Sequence, residues 1–182
     1  MTNLIKDSHC SFCGTRFTEQ IVWPRKCFSC YNDSYKNPIP VVVVLIPTLK
    51  RNEIKRYGAD SYQEYGWLIE QRNINPEKGG WALPSGYIEF GETWQQAAAR
   101  EMEEEVGFVT KPEEFLLLEV VNSLGGNMLI FCTHRPVYED EIKFRPNHEV
   151  SAVQFPTRPD KVELCFPTHT MMWQKYYDSI DE

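Results

Sequence analysis

The sequence predicts an α/β fold: a mixed sheet with a helix on either face, preceded by a small ribbon built on four cysteines. Three observations lead there. Two CxxC pairs stand close together near the N-terminus, several β-branched apolar runs follow, and one well-capped amphipathic helix interrupts those runs before a second helix closes the chain. At 182 residues and 42% hydrophobic content the chain can bury a core as one domain of ordinary size with a small appendage.

The cysteine pairs come first. Cys10 and Cys13 in "CSFC" and Cys27 and Cys30 in "CFSC" are separated by thirteen residues. That spacing suits a tetrahedral four-thiolate zinc site better than a disulfide framework. Gly14 fits the tight turn of a knuckle, and "GTRFTEQIVWPRK" has the length and β-formers for a hairpin between the two knuckles. A closed shell of four thiolates leaves no open position, so this Zn2+ is expected to fold residues 1–36 and not to catalyse. Cys132 and Cys165 are read as ordinary buried thiols. The two prolines of "NPIP", residues 37–40, read as a stiff junction to a second domain over 37–182.

In that domain "VVVVLIP" reads as a buried strand, followed by strands in "GWLIEQRN", "FLLLEVV", "NMLIFCTH" and "EVSAVQF". A last helix is expected over about 168–179. No apolar run is long enough to cross a membrane, and "MTNLIKDSHC" lacks the pattern of a secretory leader, so a soluble, cytoplasmic protein is expected. The net charge of -7 argues against a broad electrostatic grip on nucleic acid.

Between these strands lies "GYIEFGETWQQAAAREMEEEVGF", with six glutamates and one arginine in 23 residues. Thr93 is a good N-cap, Gln96 completes a capping box, and Gly107 can end the helix in a left-handed turn. At about 100° per residue, Trp94, Ala97, Ala98, Met102 and Val106 share one half of the helix, while Arg100 and Glu103 are expected to point away. Glu101 and Glu105 fall inside the arc facing the core, with Glu104 at its edge. Carboxylates so placed must be paired, protonated or bound to a cation. Arg100, the only basic residue in the stretch, cannot neutralise them all. Hard cations such as Mg2+ or Mn2+ take such oxygen ligands and keep positions open for phosphate oxygens, so the glutamates read as a metal cradle.

These residues resemble the Nudix box: Gly86, five residues, Glu92, seven residues, then "REMEEEVGF", with only Phe108 departing from the pattern. The preceding "GGWALPSG" is similar to the family's Gly-Trp-x-Leu-Pro-Gly-Gly run, with Ser85 replacing one glycine. The resemblance implies an α/β/α sandwich that hydrolyses a nucleoside diphosphate linked to another group. It implies Glu101, Glu104 and Glu105 as divalent-metal ligands, Glu92 as a supporting or outer ligand, Gly86 as a backbone carbonyl ligand, and Arg100 as an orienting partner. The general base is expected to be Glu105, with Glu149 of "NHEV" as the alternative.

A ribbon ahead of such a domain looks like the NADH pyrophosphatase type and its relatives that cleave ADP-ribose or FAD. Members that cleave NADH carry a Ser-Gln-Pro-Trp-Pro-Phe-Pro run after the box, whereas this chain has "EVVNSLGGNM". ADP-ribose-like dinucleotide diphosphates therefore rank first as substrates, with NAD(H), FAD and capped RNA ends below. Trp67, Trp81, Tyr87 and Phe90 are weighed as base-stacking groups against the competing expectation that most of them fill the core. The reading of another class is a non-catalytic ligand sensor whose ribbon contacts nucleic acid or protein. Three retained carboxylates argue against it, and the ribbon reads more simply as a structural cap or a homodimer surface.

Overall fold

The computed structural model describes residues 6–18, 22–51, 55–57, 60–62 and 64–180. The chain divides into two compact units, Met1–Pro38 and Ile39–Glu182.

In the first unit each CxxC pair sits at the tip of a tight turn. The Gly14 N–H donates to the Cys10 carbonyl and the Tyr31 N–H to the Cys27 carbonyl, both at 2.9 Å. Gly14 and Tyr31 both take left-handed backbone angles, φ 74° and 61°, so the two turns repeat one geometry with glycine in only one of them. The first turn is flanked by the His9–Arg16 bridge, the second by β1 (Arg25–Lys26) paired antiparallel with β2 (Asp33–Ser34). Both pairings thus lie around a knuckle; the hairpin expected between the knuckles falls partly on residues 19–21, outside the described residues. Arg25 supplies a small polar core. Its guanidinium lies 3.8 Å from the centre of the Phe17 ring and donates to the Asp7 carbonyl at 2.6 Å.

The second unit is built around β3 (Pro40–Leu45). After it come β4 (Pro47–Leu49), β5 (Lys55–Tyr57), β6 (Asp60–Tyr62), β7 (Gly66–Trp67), β8 (Ile69–Arg72), β9 (Trp81–Ala82) and β10 (Ser85–Tyr87). Helix α1 (Trp94–Val106) is followed by β11 (Phe115–Asn122), β12 (Met128–His134), β13 (Val137–Tyr138), β14 (Val150–Gln154) and helix α2 (Pro167–Ile180). The main sheet has the order β10-β3-β12-β11 and is mixed, since β3 pairs parallel with β12 and antiparallel with β10.

Strand β3 explains the layering. Its side chains alternate: Val42 and Val44 pack with Ala97, Ala98, Met102 and Val106 of α1, while Val43 and Leu45 pack with Met172 and Trp173 of α2. A strand buried on both faces has no polar positions, which is why "VVVVL" is continuous and not alternating. The result is a helix, a mixed sheet and a helix. One sheet had been expected, but the strands form smaller sheets. The apolar run breaks at Ile46, so that β4 pairs with β13 and β7, while β8 pairs with β14 and β9. Pro47 opens the new strand, and the Leu68 N–H donates to the Ile46 carbonyl at 3.1 Å across the break.

Candidate active site

Helix α1 is held at both ends as its sequence requires. The Gln96 N–H donates to Thr93 Oγ1 at 3.2 Å, the Thr93 N–H donates back to Gln96 Oε1 at 2.8 Å, and Gly107 closes the helix at φ 69°. The phase of the helix then decides where its carboxylates go. Glu101 and Glu105 are buried at 6% and 4% exposure, Glu103 is exposed, and Glu104 lies at the edge with its side chain 61% exposed.

Arg100 does not point away. Its Nε donates to Glu92 Oε1 at 2.8 Å, Nη1 to Glu101 Oε1 at 2.6 Å and Glu104 Oε2 at 3.1 Å, and Nη2 to the Tyr87 carbonyl at 2.9 Å. A helical wheel places only Cβ, and the long arginine stem swings its fork back over the glutamates. Arg100 holds the Glu92 carboxyl below its ordinary range, and the three carboxylates raise the arginine in return. Glu92, which also accepts the Glu89 N–H at 3.0 Å, stands behind the arginine.

Gly86 meets Glu101 with no room to spare. A Cβ on Gly86 would lie 1.8 Å from Glu101 Oε1, so any side chain here would push this carboxylate out of its place. Glu105 accepts the Ser85 N–H at 3.0 Å. Burial pushes the Glu101 carboxyl up against the pull of Arg100. Burial and the charges of Glu70 and Glu101 push Glu105 well above the carboxylate range.

Glu70 was not among the expected site residues. It lies on β8 with 1% exposure and shares a hydrogen bond with Glu105, and burial pushes it up to about 8. Its Oε2 has no partner. The signal was present in "GWLIEQRN", where a glutamate stands at a position flanked by apolar residues, yet strand alternation alone accepts such a residue as surface. Two buried carboxyls in contact, one with an orphaned oxygen, must share a proton or meet a cation. Arg100 is already committed. The donors are all hard oxygen, the kind that Mg2+ or Mn2+ takes, although among the described residues the four cysteines alone bring three or more ligand atoms within 4.8 Å of one another.

Glu101 and Glu105 open onto a cleft of about 630 Å3, whose lining does not include Glu70. Gly86, Arg100, Glu101, Glu104, Glu105 and Glu149 all line it; Glu92 does not. Glu149 lines the cleft, and its Oε1 lies 2.8 Å from His148 Nε2. Tyr87 lines the cleft, whereas Trp67 is buried against Trp173, Tyr176 and Tyr177, and Trp81 packs at the margin of the same core. Phe90 is fully exposed. The loop "NSLGGN" contributes Ser123, Leu124, Gly125 and Asn127, and Gly126 turns it at φ 81°. Arg72, Phe166 and His169, none of them singled out from sequence, complete the α2 side.

In the first unit the four cysteine sulfurs lie within 4.8 Å of one another, with Cys10–Cys30 and Cys13–Cys27 both at 3.7 Å. A tetrahedral ion about 2.3 Å from each sulfur sets them roughly 3.8 Å apart, so the cluster fits Zn2+. The Thr15 side chain and backbone bring the Cys13 thiol down to about 6. Of the remaining cysteines Cys132 is buried and pushed up to about 12, but Cys165 is only half-buried, against expectation.

The profile of the family described as "NUDIX domain" matches residues 60–174. Over 49 residues the chain is 47% identical to the ADP-ribose pyrophosphatase of Methanocaldococcus jannaschii, a match that spans 27% of this chain and 29% of that relative. Among solved structures, the NUDIX domain of Shewanella oneidensis NrtR complexed with ADP ribose aligns with a TM-score of 0.61 at 22% identity, over 80% of this chain and 90% of that one. The NUDIX hydrolase from Nitrosomonas europaea aligns with a TM-score of 0.63 at 21% identity, over 94% and 91%. Among the described residues no helix is long and apolar enough to cross a membrane.

Proposed function

This chain belongs to the NUDIX domain family, and on that premise we propose that it is a pyrophosphohydrolase that splits the diphosphate of a nucleoside diphosphate linked to a second moiety, with ADP-ribose first in rank. The observation that carries this reading is the cleft itself: Glu101 and Glu105 are buried in its wall beside the orphaned Glu70 oxygen, with one arginine already shared among three carboxylates. Bound there, Mg2+ or Mn2+ would neutralise diphosphate charge and acidify a water. Glu101, Glu104 and Glu105 are the ligands in this reading, Glu92 supports them through Arg100, and Gly86 offers its carbonyl. Glu105, ionised once the cation is bound, takes the proton of the attacking water; Glu149, at the rim, is the alternative base. Residues 1–36 form a structural zinc module and residues 37–182 the hydrolase.

Similarity to an ADP-ribose pyrophosphatase and to a domain complexed with ADP ribose supports the substrate ranking. So does the glycine turn at 125–126, which offers no aromatic or rigid surface to a nicotinamide. The test is kcat/KM for ADP-ribose, NADH, FAD and capped RNA with Mg2+ or Mn2+, beside the Glu104→Gln, Glu105→Gln double variant. AMP and ribose 5-phosphate from ADP-ribose, lost in the folded double variant, are expected. A tenfold preference for NADH, about 1.4 kcal/mol, would reverse the ranking. Wild-type turnover by the double variant would remove the site assignment, and tight ADP-ribose binding without turnover by the wild type would favour the sensor.

A further inference from the structure

The carboxylates occupy one side of the cleft; the α2 side carries donors. His169 sits in the first turn of α2 with 4% exposure, its ring edge-on to Phe131 at 5.9 Å and tilted against Phe166 at 4.9 Å. The Leu83 N–H points at its Nδ1 from 3.2 Å. A backbone N–H can only donate, so Nδ1 is the bare acceptor and the ring proton resides on Nε2. Burial, with the charge of Arg72, pushes this imidazole down to about 3, so it is a neutral donor at any working pH. Nothing among the described residues accepts from Nε2, although the ring lines the cleft.

Arg72 stands beside it. Its Nε donates to the Pro76 carbonyl at 2.9 Å and its guanidinium carbon lies 5.3 Å from the centre of the Phe166 ring. Arg72 also lines the cleft, and its two terminal nitrogens have no hydrogen-bond acceptor among the described residues. A neutral N–H and two guanidinium NH2 groups thus stand unanswered on one wall, next to the N-terminal end of a fourteen-residue helix whose dipole favours negative charge.

We infer that this wall is a phosphoryl-oxygen site, in which His169 Nε2–H and the Arg72 fork donate to the substrate phosphate oxygens that the carboxylate side leaves free. The assignment rests on the cleft being a diphosphate site. Acceptors on one wall suit cations and donors on the other suit bare anionic oxygens, so a diphosphate is gripped from both sides and its orientation is set. A base carbonyl would answer the His169 donor alone and leave the Arg72 fork without an acceptor.

The experiment uses the full chain, labelled with 15N at histidine, in EDTA, with inorganic pyrophosphate as the probe. His134 is an internal reference because it holds the opposite tautomer: its Nδ1 donates to the Arg135 carbonyl at 2.8 Å and its Nε2 lies 2.9 Å from Thr110 Oγ1. The expected result is a saturable shift of the Nε2–H signal that is absent from His169→Gln, with the His134 signal still, and a Kd raised tenfold or more in Arg72→Leu. An unmoved His169 signal at saturating pyrophosphate, a shift with AMP but not pyrophosphate, or an unchanged Kd in Arg72→Leu would each overturn the site. The titration involves neither divalent metal nor turnover. A chain that binds pyrophosphate here yet leaves ADP-ribose intact loses only the proposed reaction; one that hydrolyses ADP-ribose with a silent His169 loses only this site.

Discussion

At the scale of single residues, the carboxyl pair Glu70 and Glu105 ties stability to pH. Glu70 is pushed from its ordinary 4.5 up to about 8, and Glu105 is raised too. A carboxyl raised on folding favours the native state while it stays protonated. Its contribution is therefore complete below about 4.5 and is lost as pH rises towards 8, at roughly 1.4 kcal/mol per pH unit for each proton that the native state holds in excess. Urea denaturation in EDTA between pH 5 and 8 should show this fall, Glu70→Gln should flatten it, and Mg2+ or Mn2+ should offset it at the alkaline end. Arg100→Lys tests the neighbouring network. A point charge cannot bond Glu92, Glu101, Glu104 and the Tyr87 carbonyl together, so kcat for ADP-ribose should drop tenfold or more while the variant stays folded. The inward glutamates were legible because a helix has a fixed angular step. The wheel gave Arg100 the wrong direction, although the resemblance had it beside the glutamates, and Glu70, Arg72 and His169 were missed, because their places depend on side-chain reach and on contacts between segments far apart in the chain.

At the scale of elements, the two ends of α1 rank differently. Thr93→Ala removes one capping hydrogen bond and should cost about 1 kcal/mol, a drop of about 2–4 °C in Tm. Gly107→Ala should cost more. The residue sits at φ 69°, and its added Cβ would meet the Lys143 carbonyl oxygen at 2.6 Å, so backbone strain and a clash combine. Thermal unfolding of the two variants side by side checks the order. Long elements were readable in advance: "VVVVL", "FLLLEVV", "NMLIFCTH" and both helices carry enough periodic residues to declare themselves. Strands β9 and β13 have two residues each, too few to show any period, β7 was read as one strand with β8, and the break at Ile46 lies inside an unbroken apolar run.

At the scale of the whole molecule, the four-cysteine unit has its own ligands and its own small core, Arg25 against Phe17. Metal analysis should find about one Zn2+ per chain, retained in Cys132→Ser and Cys165→Ser and lost in Cys27→Ser. In that last variant hydrogen exchange should accelerate over residues 6–36 and stay slow in β3 and α1, because those elements bury their apolar faces within the second unit. The central position of β3 has a consequence for synthesis. Its antiparallel neighbour β10 follows within some forty residues, but its parallel partner β12 lies 88 residues downstream, as the bond from Thr133 to the Leu45 carbonyl shows. At about 5–20 residues per second a ribosome delivers that partner roughly 5–20 s after β3. Throughout that interval the nascent chain carries its most apolar segment with one edge open, which marks "VVVVL" as the stretch that trigger-type chaperones would cover and the first to aggregate when they are scarce.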